Sequence, residues 1–134
     1  MTERDLAVRR AIMEAFAATG APPVVEDEVA VRRLAEHHVV VLEEGGGEAA
    51  SPRIRMAHPF ANHRRGARVD AGGRTWWGNC AWDALGIVAA LGLREATVGS
   101  NGVSVRVRDG RVIDDVVFHV AVPARHWWDD IAFT

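Results

Sequence analysis

The chain of 134 residues contains a single cysteine, and it contains no lysine and no tyrosine. One cysteine excludes an intramolecular disulfide framework and any zinc site built from two or four cysteines of one chain. Long apolar runs are also lacking, because no stretch approaches the roughly 20 apolar residues of a membrane span. The N-terminus, residues 1–10, is charged and unlike a secretory signal. These absences predict a soluble, cytoplasmic protein without a membrane partner.

Positive charge is scarce in the first part of the chain. Residues 1–50 carry 5 arginines against 10 acidic residues, whereas residues 51–134 carry 11 arginines against 8 acidic residues. Neither part offers the basic face of a nucleic-acid binder, so a nucleic-acid partner is not expected. The exclusive use of arginine is typical of a bacterium with GC-rich coding. A hydrophobic content of 49% is enough for the core of one domain.

Two helices and a β-hairpin are predicted in the N-terminal part. Apolar residues recur at helical spacing over residues 4–18 and about 26–37. A short β-branched run at 39–42, a Gly-rich turn at 43–51 and an alternating segment at 53–60 then predict a two-stranded wing. Helices followed by such a hairpin resemble a winged-helix unit, and the acidic balance favours a packing or lid role over DNA binding.

The remainder of the chain predicts short strands around one helix. The doublet Gly72-Gly73 predicts a hairpin, and the nearly all-apolar stretch from Cys80 to about Leu91 predicts a helix buried in the centre. Alternating segments predict three further strands, over residues 96–99, 103–108 and 116–122. The predicted fold class is therefore α+β, with a helical, winged-helix-like part packed on a small, mostly antiparallel sheet with a central buried helix. We place the boundary between the N-terminal part (1–60) and the α+β core (61–134) at the end of the wing.

Cys80 and Asp83 are the candidate chemical pair. With Asn79 as the N-cap, Cys80 takes the first helical position, where free backbone N–H groups and the helix dipole favour a thiolate. Asp83, three residues later, lies on the same helix face and could exchange a proton there. The same two residues are also compatible with a buried structural cysteine and an ordinary first-turn aspartate.

Several other side chains near this pair are candidates for a binding site. Trp77, Asn79 and Trp82 are candidate walls of a substrate pocket. None of the six histidines pairs at the i, i+4 spacing of a helical zinc site. His58 and His63 lie on the segment before the predicted hairpin, and they are candidate metal ligands in addition to Cys80.

In motif and in order, these residues resemble the organomercurial (alkylmercury) lyase family. The most specific motif is Cys-Ala-x-Asp-Ala-Leu at 80–85, within an aromatic-rich run. A His-Pro-Phe segment at 58–60 precedes it, and a glycine turn at 98–102 and a strand ending in Pro123 follow it. The resemblance extends over about residues 34–134.

The resemblance implies protonolytic cleavage of carbon–mercury bonds. It implies that the Cys80 thiolate binds the mercury of an organomercurial and that Asp83 delivers the proton to the departing carbon. Mercury is a soft metal that prefers thiolate ligands, which agrees with these roles. External thiols are implied as partners, and no cofactor is implied.

Two departures from the family pattern set further expectations. Asn79 stands where the family commonly has tryptophan, and the chain lacks the second family cysteine. We therefore expect a divergent member that is truncated before that second cysteine.

Two alternatives stay open at the level of sequence. One is a non-catalytic metal- or small-ligand-binding protein on the same fold, with Cys80 as the sole sulfur ligand and Asp83 as a structural residue. The other, less favoured, is a winged-helix transcriptional regulator, against which the acidic N-terminal part argues.

Overall fold

A computed structural model describes residues 1–43, 51–120 and 122–131. Within these ranges the helices are α1 (Glu3–Thr19), α2 (Glu28–Glu36) and α3 (Ala81–Ala90), and a 3₁₀ turn lies at Ala124–His126. The strands are β1 (Val41–Leu42), β2 (Ile54–Ala57), β3 (Phe60–Ala61), β4 (Ala67–Ala71), β5 (Arg74–Gly78), β6 (Ala96–Ser100), β7 (Val103–Arg108) and β8 (Arg111–Val112). No helix in the described part of the chain is long and apolar enough to cross a lipid bilayer.

The two predicted N-terminal helices are confirmed, and an ion pair joins them. The Thr2 side chain caps α1 by accepting from the backbone N–H of Asp5, and the Asp5 carboxylate accepts from the Thr2 N–H at 2.7 Å. Asp5 is buried, and its Oδ1 also accepts from Arg33 Nη2 of α2 at 2.6 Å. The hydrogen bonds from Arg33 and Thr2 hold the pKa of Asp5 well below its ordinary range, so the carboxylate stays charged.

The strands form two antiparallel sheets. The first has the order β1-β2-β3, and the second has the order β5-β4-β6-β7-β8. Every pairing among the described residues is antiparallel, which confirms the predicted sheet type. β1 pairs with β2 as expected, but the prediction of a two-stranded wing is wrong, because the segment predicted as one strand over 53–60 ends at Ala57 and β3 adds a third strand. Most of the Gly-rich turn predicted at 43–51 lies outside the described residues.

One hydrophobic core connects the helices to both sheets. The ring of Phe16 in α1 stacks on Phe60 in β3 with 5.5 Å between ring centroids. The indole N–H of Trp76 in β5 donates to the carbonyl of Ala17 at 3.1 Å. Helix α1 therefore contacts β5, the strand that leads into α3.

The predicted burial of α3 is confirmed on the side that faces the sheet, and the opposite side is more exposed than expected. Ala84, Ile87 and Val88 are buried against the sheet, whereas Trp82 is 57% exposed. The helix covers one face of the five-stranded sheet, so only the side that faces the sheet enters the core.

The strand predicted over residues 116–122 is also not observed. The described residues of that segment adopt no strand, and Val117 is 94% exposed. Instead, the short strand β8 pairs with β7, and the Asp114 carboxylate then accepts from the backbone N–H of Arg106 at 2.6 Å. Because this side chain takes the place of a backbone carbonyl, the strand pairing ends there. The alternation of apolar and polar residues over 116–122 is not sufficient to extend the sheet.

Candidate functional site

The end of β5 places the first turn of α3 in close contact with the sheet. A Cβ atom on Gly78 would lie 2.7 Å from the backbone nitrogen of Ala84 and 2.8 Å from Asp83 Cβ. Such distances are too short for a carbon atom, so only glycine allows the strand end and the helix start to approach this closely. Gly78 thereby determines where Asp83 lies.

Cys80 is the N-cap of α3, and not the first helical residue as the sequence predicted. Its backbone is extended, with φ −139° and ψ 178°, and its side chain makes no capping hydrogen bond. The helix begins at Ala81, one residue later than expected. This shift leaves the Cys80 side chain free to turn toward Asp83.

Cys80 and Asp83 are in contact, as the i, i+3 spacing indicated. Cys80 Sγ lies 3.8 Å from Asp83 Oδ2, a distance at which the thiol donates to the carboxylate. Burial raises the pKa of the Cys80 thiol, and the negative charge of Asp83 raises it further, although backbone N–H groups of Asp83 and Trp82 act in the opposite direction. The expectation of a thiolate favoured by the helix dipole is therefore wrong, since burial and the neighbouring carboxylate outweigh the dipole.

His58 approaches the other oxygen of the same carboxylate. Its Nδ1 lies 3.6 Å from Asp83 Oδ1, which is longer than an ordinary hydrogen bond. The ring follows β2, and a cis peptide bond joins His58 to Pro59. Its Nε2 is buried and finds no hydrogen-bond partner among the described residues. Asp83 is thus held between a thiol and an imidazole, with one oxygen facing each.

A cavity of about 310 Å³ adjoins this pair. Five of its lining residues carry polar or reactive groups, and they are His38, His58, Asn79, Cys80 and Asp83. The other four are apolar or aromatic, and they are Trp82, Trp127, Trp128 and Ile131. We call the three tryptophans of this cavity the tryptophan wall. Trp82 is thus the exposed apolar residue of α3 that lines this cavity.

Trp128 is held by two histidines. His38, just after α2, stacks on the indole ring with centroids 4.1 Å apart and the planes 11° from parallel. The ring of His58 meets Trp128 edge-on, with centroids 5.7 Å apart and an interplanar angle of 79°. Contacts of both kinds are favourable geometries for aromatic rings. The residue is therefore fixed in the cavity from both the helical part and the β2–β3 turn.

Asn79 fixes the segment that carries Trp127 and Trp128. Its Nδ2 donates to the carbonyl of Ile131 at 3.0 Å, and its Oδ1 lies 3.2 Å from Nε2 of His63. Burial and the positive charge of Arg55 lower the pKa of His63, so its ring is neutral at neutral pH. A neutral ring with the proton on Nε2 donates to Asn79, which orients the amide toward Ile131.

The structure brings together most of the predicted site residues. Cys80, Asp83, Asn79, Trp82 and His58 line one cavity. Trp77 and His63 do not line this cavity. Both line another cavity, of about 430 Å³. Among the described residues, no group of three or more His, Cys, Asp or Glu side chains is arranged to hold a metal ion.

Sequence reasoning missed four lining residues: His38, Trp127, Trp128 and Ile131. The adjacent tryptophans near the end of the chain were the available signal for two of them. No pattern in the sequence links His38 to that segment.

We expect the alkylation rate of Cys80 by iodoacetamide to rise with pH through a midpoint above that of an ordinary free thiol, because burial and Asp83 both favour the neutral form. Replacing Asp83 by asparagine removes one of these causes, so Asp83→Asn should lower the midpoint. Intact-mass measurement of the alkylated fraction over time gives the rates, and the unfolded protein is the reference. A native midpoint below that of the unfolded protein would contradict this prediction.

A family model and a solved structure match this chain. The family model described as alkylmercury lyase matches residues 60–134. No curated protein sequence is matched. The solved structure described as the crystal structure of the mercury-bound form of MerB2 is similar in fold, with a TM-score of 0.61 at 20% sequence identity. That similarity covers 85% of this chain and 60% of the other chain, so this chain spans about 60% of the length of its structural relative.

The matched segment contains both β5 and α3, and with them the Cys80–Asp83 contact. The likeness in fold to the structural relative covers 85% of this chain, more than the segment that the family model matches. Because the family model matches more than half of the chain, the protein belongs to the alkylmercury lyase family.

Proposed function

We propose that the protein binds organomercurial compounds through Cys80 and cleaves their carbon–mercury bond by protonating the carbon. The observation that carries this proposal is the distance of 3.8 Å between Cys80 Sγ and Asp83 Oδ2 at the edge of a cavity with aromatic walls. A soft sulfur ligand and a proton carrier are the two groups that the reaction requires. Membership of the alkylmercury lyase family supports the same reaction.

The first step is the transfer of the organomercurial to Cys80. The raised pKa of the Cys80 thiol means that it enters the reaction protonated. The thiol gives its proton to Asp83, and the resulting thiolate bonds to the mercury of a compound R–Hg–SR′. The thiolate R′S⁻ leaves, so the mercury exchanges one sulfur ligand for another and keeps its organic group.

The second step is protonolysis. Asp83 now carries the proton that Cys80 lost, and it delivers this proton to the carbon bound to mercury. The electron pair of the carbon–mercury bond forms the new C–H bond, R–H leaves, and mercury(II) stays on the Cys80 sulfur. Two external thiolates then remove the mercury as Hg(SR′)₂, because the chain has a single sulfur donor of this kind.

His58 serves as a positioning residue in this scheme. Its Nδ1 lies 3.6 Å from Asp83 Oδ1, while Cys80 lies beside Oδ2. An imidazole at that oxygen restricts rotation of the carboxyl group and leaves the other oxygen facing the sulfur. Orientation of this kind lowers the barrier because the proton carrier is already aligned with the reacting atoms.

The experiment that tests the function is the release of benzene from phenylmercury in the presence of excess glutathione, measured by gas chromatography. The wild-type protein should release benzene over many turnovers. Cys80→Ser should release none above background and should retain no mercury after gel filtration, because the chain has one cysteine. Circular dichroism of both proteins checks that the variant is folded.

Stoichiometric capture is the second candidate function, and the single sulfur donor of the chain favours it. Capture predicts that one mercury per chain stays on the wild-type protein and that no benzene forms. That result would contradict cleavage. Absence of both binding and benzene would contradict both candidates.

A further inference from the structure

We infer that the tryptophan wall makes the site selective for arylmercury compounds over small alkylmercury compounds. This inference rests on the proposed function, and it assigns contact with the organic group of the substrate to Trp82 and Trp128. Cys80 and Asp83 act on the mercury and on the carbon bound to it, whereas the tryptophans contact the rest of the organic group.

The geometry of mercury sends the organic group into the cavity. Two-coordinate mercury is linear, so the organic group of a compound bound to Cys80 points directly away from the sulfur. Cys80 lies at the edge of a cavity of about 310 Å³, which is at the lower end of the range typical of small-molecule sites. A methyl group would leave most of this volume to water, whereas an aromatic ring would displace that water and contact the walls.

The walls are aromatic and come from separate elements. Trp82 lies in the first turn of α3, two residues from Cys80, and its ring leans against Phe118 with centroids 5.6 Å apart. Trp128 comes from the segment after the 3₁₀ turn. An aromatic substrate group gains stacked or edge-to-face contacts with such rings beyond the gain from burial alone, and a methyl group does not.

Trp128 is held in place before any substrate arrives. His38 stacks on its ring at 4.1 Å, and Asn79 holds the following backbone through Ile131 at 3.0 Å. A wall that is already ordered costs little additional entropy on binding, so its contacts contribute to affinity. Both the composition and the fixation of the wall therefore favour a flat aromatic ligand.

The test is a competition between phenylmercury and methylmercury for Cys80 at equal concentration, with excess glutathione as the competing thiol. The protein carries Asp83→Asn so that cleavage does not consume either compound. Intact-mass measurement gives the ratio of phenyl-bound to methyl-bound protein, which is divided by the same ratio on glutathione. We expect a clear excess of phenylmercury, and we expect Trp128→Ala to reduce the excess by roughly tenfold, within the discrimination of 10- to 200-fold found for hydrophobic pockets.

Three further variants make the result specific. Trp82→Ala removes a wall residue from a helix, so its effect does not depend on the order of the segment after Pro123. Trp128→Phe keeps an aromatic ring and should keep most of the selectivity. Trp77→Ala is the matched control, since this tryptophan lines the other cavity, and it should leave the ratio unchanged.

Each outcome decides the inference. The inference would be overturned if the Asp83→Asn protein with all five tryptophans had nearly the same phenyl-to-methyl ratio as glutathione. It would also be overturned if Trp128→Ala and Trp82→Ala weakened the binding of phenylmercury and methylmercury equally and left the ratio unchanged. Failure of both compounds to bind Cys80 would overturn the proposed function and the inference together. Selective binding of phenylmercury by a protein whose wild-type form releases no benzene would support the inference and contradict cleavage alone.

Discussion

Replacing Asp83 by asparagine is expected to leave phenylmercury bound to Cys80 and to slow the release of benzene by about 100- to 10,000-fold, the usual contribution of a positioned acid or base. Asparagine has nearly the same shape as aspartate, so it preserves packing at the start of α3. It cannot accept the thiol proton and pass it on to carbon. The thiol of this variant instead loses its proton to the buffer, which the lower pKa expected without the Asp83 charge makes easier. The chemical step should therefore fail while the sulfur–mercury bond still forms.

Single-turnover kinetics provides the measurement. The protein is loaded with one equivalent of phenylmercury, excess reagent is removed, and benzene is followed by gas chromatography. Asp109→Asn is a matched control, because Asp109 is exposed in the turn between β7 and β8 and its backbone has a positive φ that asparagine accepts well. An unchanged rate in Asp83→Asn would show that the proton comes from elsewhere.

The second large effect concerns a glycine that makes no contact with substrate. Gly78→Ala is expected to destabilise the protein by about 1–3 kcal/mol, the usual cost of overpacking, and to slow benzene release as well. The added carbon would meet the backbone of Ala84 and the Cβ of Asp83 at less than 3.0 Å. The first turn of α3 must then move away from β5, and the carboxylate moves with it.

Gly99→Ala is the matched control for this substitution. Gly99 also lies in a strand of the five-stranded sheet, but a Cβ atom there would meet nothing within 4 Å. Denaturant unfolding and single-turnover kinetics of the two variants give the comparison. Equal stability and equal rates in Gly78→Ala and Gly99→Ala would show that the close approach of β5 to α3 does not position Asp83.

Local patterns predicted the elements that depend on neighbouring residues in the chain. The spacing of apolar residues predicted α1 and α2, the Gly72-Gly73 doublet predicted the β4–β5 hairpin, and the i, i+3 spacing predicted that Cys80 and Asp83 meet. Each of these features is set by a few consecutive residues. They were therefore accessible without knowledge of the fold.

Features that depend on distant contacts were not accessible in the same way. The cavity is closed by His38 after α2 and by Trp128 near the end of the chain, which lie 90 residues apart in sequence and stack on each other. The segment 116–122 has the alternation of a strand, but pairing with β7 ends at Asp114, ahead of that segment.

The ionisation of Cys80 was predicted in the wrong direction for a related reason. The sequence shows that Cys80 lies near the start of a helix, where the helix dipole favours a thiolate. Burial of the sulfur depends on the segments that close over it, and the repulsion from Asp83 depends on their separation. Burial and the charge of Asp83 both disfavour the thiolate, and the pKa of Cys80 is raised as a result.

The tryptophan wall also gives the protein an optical property. The chain has no tyrosine, so its near-ultraviolet absorption and its fluorescence come almost entirely from five indole rings. Three of these rings line the cavity beside Cys80, and two lie in β5. A heavy atom such as mercury quenches the emission of nearby indoles, so binding of mercury at Cys80 is expected to lower the fluorescence of the three cavity tryptophans.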